Sequence, residues 1–290
     1  MRQALRLAVA SGKGGTGKTT VATSLAMALA RAGAGAGAPV TFVDADVEAP
    51  NGHLFLRPRL ERELPVELLV PRIDPERCTR CGQCVAFCQF SALVDLGADI
   101  LFFAELCHAC GGCRRVCPEA AICEHGRRIG TVEEGQAGPV RFISGRLDIG
   151  QPLAPPVIRA AQQRLPAGGV VVVDAPPGTA CAAVQATAGA DFVLLLAEPT
   201  PFGLHDLELA AQMVRKLGAP GAVVANRADD GMPALRAWCA AQGLEVIMEI
   251  PDDRRIAAAC ARGQLLVDVF PEYAGRFLEM FGQIERRLAA

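Results

Sequence analysis

A doubly wound α/β fold, with a mostly parallel sheet and a small inserted α+β domain, is predicted by three features of the sequence. Short apolar runs alternate with helical stretches along most of the 290 residues. Glycine-rich turns and acidic residues follow the ends of several of those runs. Nine of the twelve cysteines crowd between Cys78 and Cys123, which describes one metal-rich module inside an ordinary chain. A secreted disulfide scaffold would be short and would spread its cysteines to staple the whole chain. An apolar content of 51% excludes disorder, and a net charge of −2 gives no field that would draw nucleic acid by bulk charge.

The elements follow in order. Leu5–Ala10 reads as a buried strand, and Val21 to about Arg31 as the helix after it. Val40–Val43, Val170–Val173, Phe192–Ala197, Ala222–Ala225 and Val246–Ile250 read as further strands. Helices are expected at Leu204–Leu217, Pro233–Gln242 and Asp253–Arg262. This alternation argues for a parallel sheet with helices on both faces, and ligands gather at the carboxyl ends of such strands. Pro271–Ala290 places Phe277, Leu278, Phe281, Ile284 and Leu288 at helical spacing. Glu279 and Glu285 interrupt its basic residues, so this helix is expected to dock on the sheet rather than on a membrane. The longest apolar runs fall far below the ~20 residues of a membrane-spanning helix, and the chain reads as cytoplasmic. Ala34–Ala38 is a low-complexity loop.

Between the first strand and its helix lies Ser11-Gly12-Lys13-Gly14-Gly15-Thr16-Gly17-Lys18-Thr19-Thr20. In a strand–loop–helix context this is a phosphate-binding P-loop. Its glycines let backbone N–H groups turn inward at the positive end of a helix. Lys18 is expected to reach the β- and γ-phosphates of ATP, and the Thr19 hydroxyl to ligate Mg²⁺. Only three of the 29 basic residues are lysine, and two of those three, Lys13 and Lys18, sit in this loop. A compact ammonium is not replaceable by guanidinium at a phosphate site, so both positions read as chemically required. Asp174, ending the Val170–Val173 strand, fits a Walker B acid on the metal's water shell. Asp44 and Asp46 are expected to share a face beyond their strand end, where they orient water or the metal shell.

Cys78-x2-Cys81-x2-Cys84-x3-Cys88 recurs as Cys107-x2-Cys110-x2-Cys113-x3-Cys117-Pro118, with 29 residues between equivalent cysteines. Each run has the spacing of a bacterial ferredoxin, in which the fourth cysteine crosses to the other cluster. The expected sets are Cys78, Cys81, Cys84 and Cys117 on one [4Fe–4S] cluster, and Cys107, Cys110, Cys113 and Cys88 on the second. Paired zinc knuckles are the competing reading, although zinc pairs are usually separated by a longer loop. Gln89 stands where a proline would complete the first half. The inserted domain is bounded at 72–136, between parts of the nucleotide-binding domain at 1–71 and 137–290. Pro71–Pro75 marks its entry, and the glycine-rich Gly126–Gly138 its exit. Cys123, Cys239 and Cys260 read as structural thiols.

The loop Lys13-Gly14-Gly15-Thr16-Gly17-Lys18-Thr19 resembles the deviant Walker A motif of the MinD/ParA/Mrp and nitrogenase-reductase class of ATPases. Nearly the whole chain is similar to members of that superfamily carrying an inserted 2[4Fe–4S] ferredoxin domain. Asp46-Val47-Glu48-Ala49-Pro50-Asn51, Ile143–Gly150 and Glu198–Leu207 also carry the resemblance. It implies a homodimer with ATP sandwiched between subunits, in which Lys13 reaches the partner's nucleotide. It further implies that Asp46 positions the attacking water, beside the switch acid Asp44. Asn226-Arg227 and Pro251-Asp252 correspond to base-contacting segments. Cofactor contacts are thus expected from Gly12 through Thr20, with Lys13, Lys18, Asp46 and Asp174 as the catalytic set. Cys181, three residues past Pro177-Gly178, reads as a small buried residue at a helix start. The resemblance adds a speculative alternative, a cysteine that meets its copy across the dimer to hold a metal.

Two functions fit these parts. In one, ATP hydrolysis drives assembly or insertion of an iron–sulfur or related metallocofactor on a client metalloprotein. In the other, ATP-driven closure gates electron transfer from the clusters to a redox partner.

Overall fold

The structure, a computed structural model, describes residues 4–33 and 39–289. The Ala34–Ala38 loop therefore lies outside the described residues. Nine strands form one sheet. In chain order the first half comprises β1 (Leu5–Ala10), α1 (Lys18–Arg31), β2 (Val40–Asp44), α2 (Gly52–Leu56) and β3 (Arg59–Ile73). The cysteine module follows with α3 (Gln83–Phe87), a hairpin of β4 (Leu93–Asp95) and β5 (Ile100–Phe102), and α4 (Gly112–Arg115). β6 (Ile122–Ala137) and β7 (Val140–Leu147) return the chain to the sheet. Then come α5 (Ala154–Gln162), β8 (Val170–Asp174), α6 (Cys181–Thr187), β9 (Phe192–Ala197) and α7 (Pro201–Leu217). β10 (Gly221–Ala228), α8 (Met232–Ala241), β11 (Val246–Pro251), α9 (Arg254–Ala261), α10 (Leu266–Val269) and α11 (Glu272–Ala289) complete it.

The strand order is β11-β10-β9-β1-β8-β2-β7-β6-β3, parallel from β11 to β7 and antiparallel through β6 and β3. Alternate side chains of each strand enter two separate cores. Leu7, Val9, Val170 and Val172 pack with α1 and α11 on one face. Ala8, Ala10, Val171 and Val173 pack with α5, α7 and α8 on the other. This period-2 division of an all-apolar strand is what covering both faces requires. The helix α11 seats Phe277, Phe281 and Ile284 in the first core, while Leu288 stays exposed. No helix among the described residues is long and apolar enough to cross a membrane.

Six of the nine strands are legible in the sequence, and β3, β6 and β7 are not. Pro65 and Pro71 make β3 look like a loop and a domain entry, yet they are tolerated because β3 is the sheet's edge. The Gly126–Gly138 segment, expected as the glycine-rich exit of the module, is almost wholly strand β6, and position 136 falls inside it. Its glycines serve close approach. A Cβ at Gly130 would run into the Arg146 carbonyl, and one at Gly135 into the Arg59 carbonyl. The cysteine-rich segment and the sheet are therefore joined by a two-stranded ribbon, with a register shift between Val66 and Glu67 where it leaves the sheet. Gly130 lies opposite Leu147, the last residue of β7, so Ile122–Ile129 run past the carboxyl edge of the sheet. At about 3.3 Å per residue this carries the module roughly 25 Å along the ribbon, on the side of the P-loop.

Candidate functional site

The loop from Ser11 to Gly17 leaves β1 and turns directly into α1. Gly15 and Gly17 adopt left-handed φ values of 76° and 91°, a conformation that L side chains rarely tolerate. Gly12 is required for a different reason, since a Cβ there would strike the backbone of Asp206 on α7. The hub of the loop is Ser11, to which the motif itself assigns no role. Its hydroxyl donates to the Lys13 carbonyl (2.7 Å) and accepts from Thr16 Oγ1 (2.9 Å) and Lys18 Nζ (3.0 Å). One donor and both acceptor positions are thereby used. Lys18 is buried, and desolvation lowers its pKa. Thr19 Oγ1 donates to Asp174 Oδ2 at 2.5 Å, tying the helix start to the end of β8.

A cleft of about 340 Å³ opens at this edge. Gly14, Gly15, Gly17, Lys18, Thr19, Thr20 and Asp46 line one end, and Asn226, Arg227, Pro251 and Asp252 the other. Asn51, Phe55, Ile256 and Cys260 complete its walls, and no motif in the sequence marks them as cleft residues. Asn226 and Arg227 lie within β10 rather than after it. A register shift in the β10–β11 pairing between Asn226 and Ala228, with Arg227 at φ 54°, turns the strand end toward the P-loop. Asn226 Nδ2 then donates to the Thr16 carbonyl at 2.7 Å.

Two expected site residues do not face the cleft. Asp44 does not share a face with Asp46. It is fully buried, and its carboxylate accepts the backbone N–H groups of Asp46 (3.2 Å), Asn51 (3.0 Å) and Gly52 (2.8 Å). Asp44 thus holds the turn that carries Asp46 and Asn51. Lys13 does not line the cleft, and its ammonium pairs with Glu198 Oε2 at 2.7 Å. The same carboxylate takes Arg227 Nη1 at 2.8 Å. Glu198 is only 8% exposed and joins the P-loop to β10, with Lys13 one-third exposed and Arg227 more than half. Breaking a buried ion pair costs about 3–5 kcal/mol, and solvent screening of the two cations reduces that here. Glu198→Gln is therefore expected to lower stability by about 1–2 kcal/mol in urea titration. An unchanged midpoint would show that the double pair contributes nothing.

Two carboxylates, Asp174 and Asp46, act on the Lys18 ammonium, and Asp44 lies beside both of them. Burial pushes Asp174 up to about 7, and raises Asp46. Burial and then the charge of Asp174 hold Asp44 well above the usual carboxylate range. Asp174 Oδ1 is buried without a hydrogen-bond partner. An orphaned carboxylate oxygen beside the Thr19 hydroxyl fits Mg²⁺ with its water shell, which asks few ligands of the protein. In the nucleotide-free chain the folded state holds a proton on Asp174 up to about pH 7, whereas the unfolded state releases it near pH 3.8. Stability therefore falls as pH rises through that window and levels off above it. A tenfold change in proton affinity corresponds to about 1.4 kcal/mol, and a kcal/mol is about 2–4 °C in Tm at this size. A Tm decline of ~4 °C or more is expected between about pH 5 and pH 7.5, and Asp174→Asn should reduce it to the part that the buried Asp44 contributes. A wild-type profile that rises with pH, or one unaltered by the substitution, contradicts this assignment.

The module repeats itself in three dimensions. Arg80 and Ala109, Gly82 and Gly111, and Ser91 and Ala120 are left-handed at equivalent positions. Within the two runs, Cys84 and Cys113 are buried, Cys81 and Cys110 exposed, and the outer four intermediate. Equivalent N–H groups of Ala92 and Ala121 donate to Cys88 Sγ (3.4 Å) and Cys117 Sγ (3.3 Å). Cys78, Cys81, Cys84 and Cys117 line one shallow concavity. Cys88, Cys107, Cys110 and Cys113 line another. Among the described residues no three His, Cys, Asp or Glu side chains converge on a single-ion site. Burial raises the thiol pKa of Cys84 and Cys107, and that of Cys113 to about 11. Gln89 is exposed, and His108 stacks on Phe90 with ring centroids 3.8 Å apart. Cys123 and Cys181, both expected to be buried, are exposed. Cys123 sits on the ribbon beyond the sheet, and Cys181 opens α6. Cys239 is buried as expected.

Residues 7–267 match the CbiA family, described as the CobQ/CobB/MinD/ParA nucleotide binding domain. The chain is 28% identical over 273 residues to the uncharacterized protein MJ0579 of Methanocaldococcus jannaschii, covering 91% of this chain and 92% of that one. In fold it is similar to the septum site-determining protein MinD of Pyrococcus horikoshii OT3, solved with Mg-ADP. The TM-score is 0.59 at 18% identity, over 97% of this chain and 96% of that one. An ATP complex of a McdA variant from Cyanothece gives a TM-score of 0.58 at 19% identity, over 98% of each chain. The chain belongs to the CobQ/CobB/MinD/ParA family of nucleotide-binding domains.

Proposed function

We propose that this chain is an ATP-hydrolysing switch that carries two [4Fe–4S] clusters and works in the assembly or insertion of a metallocofactor on a client protein. One observation carries the reading. The eight cysteines divide into the two crossed sets that the spacing predicts, each set lining its own concavity, at the end of a ribbon that leaves the sheet at the carboxyl edge where the P-loop also lies. A four-iron cluster distributes its thiolates over separate irons, so its ligands line a wall instead of converging on a point. Bound there, the clusters would supply one-electron chemistry. The chain's own contribution is the left-handed turns at Gly82 and Gly111, which aim each run of three cysteines inward, and the N–H donors on Cys88 and Cys117.

In the cleft, Lys18 would meet the β- and γ-phosphates, with Gly14, Gly15 and Gly17 exposing backbone at the start of α1. Thr19 and Asp174 would hold Mg²⁺ and its water, and Asp46 would orient the attacking water. Asn226, Arg227, Pro251 and Asp252 would contact the base. A two-fold dimer with ATP between the subunits gives Lys13 its task on the partner copy's nucleotide. Its pairing in the single chain, with Glu198 and outside the lining of its own cleft, supports that role.

Coupling would run through Asp44. Its carboxylate holds the N–H groups of Asn51 and Gly52, and the chain passes from there through α2 into β3 and the ribbon. A shift of the Asp46–Asn51 turn on hydrolysis would reach the module along hydrogen-bonded backbone. The test is anaerobic incubation of the reconstituted protein with apo-client and ATP, following iron-55 and electrons separately. ATP-dependent, stoichiometric loss of iron to the client supports assembly. Turnover with all iron retained would replace that reading by gated electron transfer to a redox partner.

A further inference from the structure

The two halves of the cysteine module are related by a 29-residue repeat, and the repeat extends to their strand pairs. Leu93 pairs with Phe102 in the β4–β5 hairpin, and its counterparts Ile122 and Ile73 pair at the root of the ribbon. Val94 with Leu101 likewise corresponds to Cys123 with Arg72. One strand pair continues into the sheet. Its equivalent at the opposite end of the module stops after three residues per strand and pairs with no other strand.

That free end has an unusual surface. Leu93 and Ile100 turn inward to the small core beside the cysteines. The alternate positions, which a solvated sheet face would fill with polar groups, are Val94 and Leu101. Leu96 at the turn is 62% exposed, and Phe103 and Leu106 continue the patch. Seven of the fourteen exposed large apolar side chains among the described residues fall between Phe87 and Leu106. Charge is one-sided as well at the hairpin turn, the cation Arg127 of the ribbon being paired with Glu105 at the far end of the patch. No lysine or arginine occurs from Cys81 to Cys113, while Asp95 and Asp99 flank the hairpin turn and are exposed. On the ribbon side the equivalent of Leu101 is Arg72, so this asymmetry is not inherited from the repeat.

We propose that the outer face of the β4–β5 hairpin is the docking surface for a partner protein with an apolar contact centre and a basic rim. An apolar patch of this concentration marks an interaction site, and the carboxylates at its edge select a cationic surround. The same carboxylates oppose an anionic lipid surface. The inference deepens the function proposed above, because a module that passes on metal or electrons must meet a recipient, and the ribbon already occupies its other end.

The test uses the full-length reconstituted protein and ferricytochrome c, a basic protein with an apolar haem edge ringed by lysines, as the probe. Binding is followed by calorimetry at low and high salt. Asp95→Lys/Asp99→Lys and Leu96→Ser/Leu101→Ser are each expected to weaken binding about 10-fold. Leu209→Ser, which removes an exposed leucine of α7, should leave it unchanged. Equal affinity across all four proteins overturns the proposal. So does concentration-dependent self-association of the wild type that Leu96→Ser/Leu101→Ser abolishes, because the face then belongs to a second copy. Preferential binding of the wild-type hairpin to anionic vesicles overturns it too. Iron measured on the same samples separates the two readings. Iron-loaded protein with hairpin-independent binding removes the docking surface alone, and iron-free protein with hairpin-dependent binding removes the clusters alone.

Discussion

Lys18→Ala is expected to reduce ATP hydrolysis by at least ~10²-fold, the scale seen when one preorganised charge-stabilising donor is deleted. Lys18 is buried at the foot of α1, and its ammonium is already aimed by Ser11 Oγ and the Lys13 carbonyl. No reorganisation is then needed as charge develops on the phosphates. The conservative Lys18→Arg should fail as well. A planar guanidinium does not match the pair of acceptors, Ser11 Oγ and the Lys13 carbonyl, that hold one compact cation. Phosphate release and nucleotide binding are to be measured on the same samples. Hydrolysis within tenfold of wild type in Lys18→Ala would remove the P-loop from the catalytic machinery. Asp46→Asn provides a contrast, with nucleotide binding kept and hydrolysis lost.

Cys113→Ser is expected to cut the iron content of the anaerobically reconstituted protein from about eight to about four per chain, and Cys84→Ser to do the same for the other set. These two are the buried members of their runs, so neither can be replaced by a thiol arriving from solvent. The crossed assignment makes a sharper demand. Cys88→Ser should spare the set around Cys84 and damage the one around Cys113, because Cys88 lines the concavity of the second run. Cys117→Ser should do the reverse. Cys123→Ser and Cys239→Ser should leave iron and acid-labile sulfide unchanged. Two zinc ions per chain in place of iron, or full iron in Cys113→Ser, would discard the cluster reading.

How far the sequence can be read depends on how local each feature is. The P-loop is legible because phosphate recognition uses consecutive backbone groups at one strand–helix junction. The cysteine runs are legible because their spacing at i, i+3 and i+6 is local, and the 29-residue repeat matches each position of one run to its equivalent in the other. The ribbon is hidden for the opposite reason. Pro65, Pro71 and the glycines of β6 carry loop signals locally, and only the position of β3 at the sheet edge and the close passage of Arg59 and Arg146 make them compatible with strands.

The sequence by itself thus carried six of the nine sheet strands, the strand–loop–helix junction at Ser11–Lys18 and the 29-residue cysteine repeat, since those depend on neighbours along the chain. Tertiary structure alone decided the partners of charge. Lys13 meets Glu198 from 185 residues away, and Asp174 meets Thr19 across 155. Asp44 turns to backbone N–H groups instead of the cleft. In each case a buried charge must find a compensating group, and which group is within reach is set by the order of strands in the sheet.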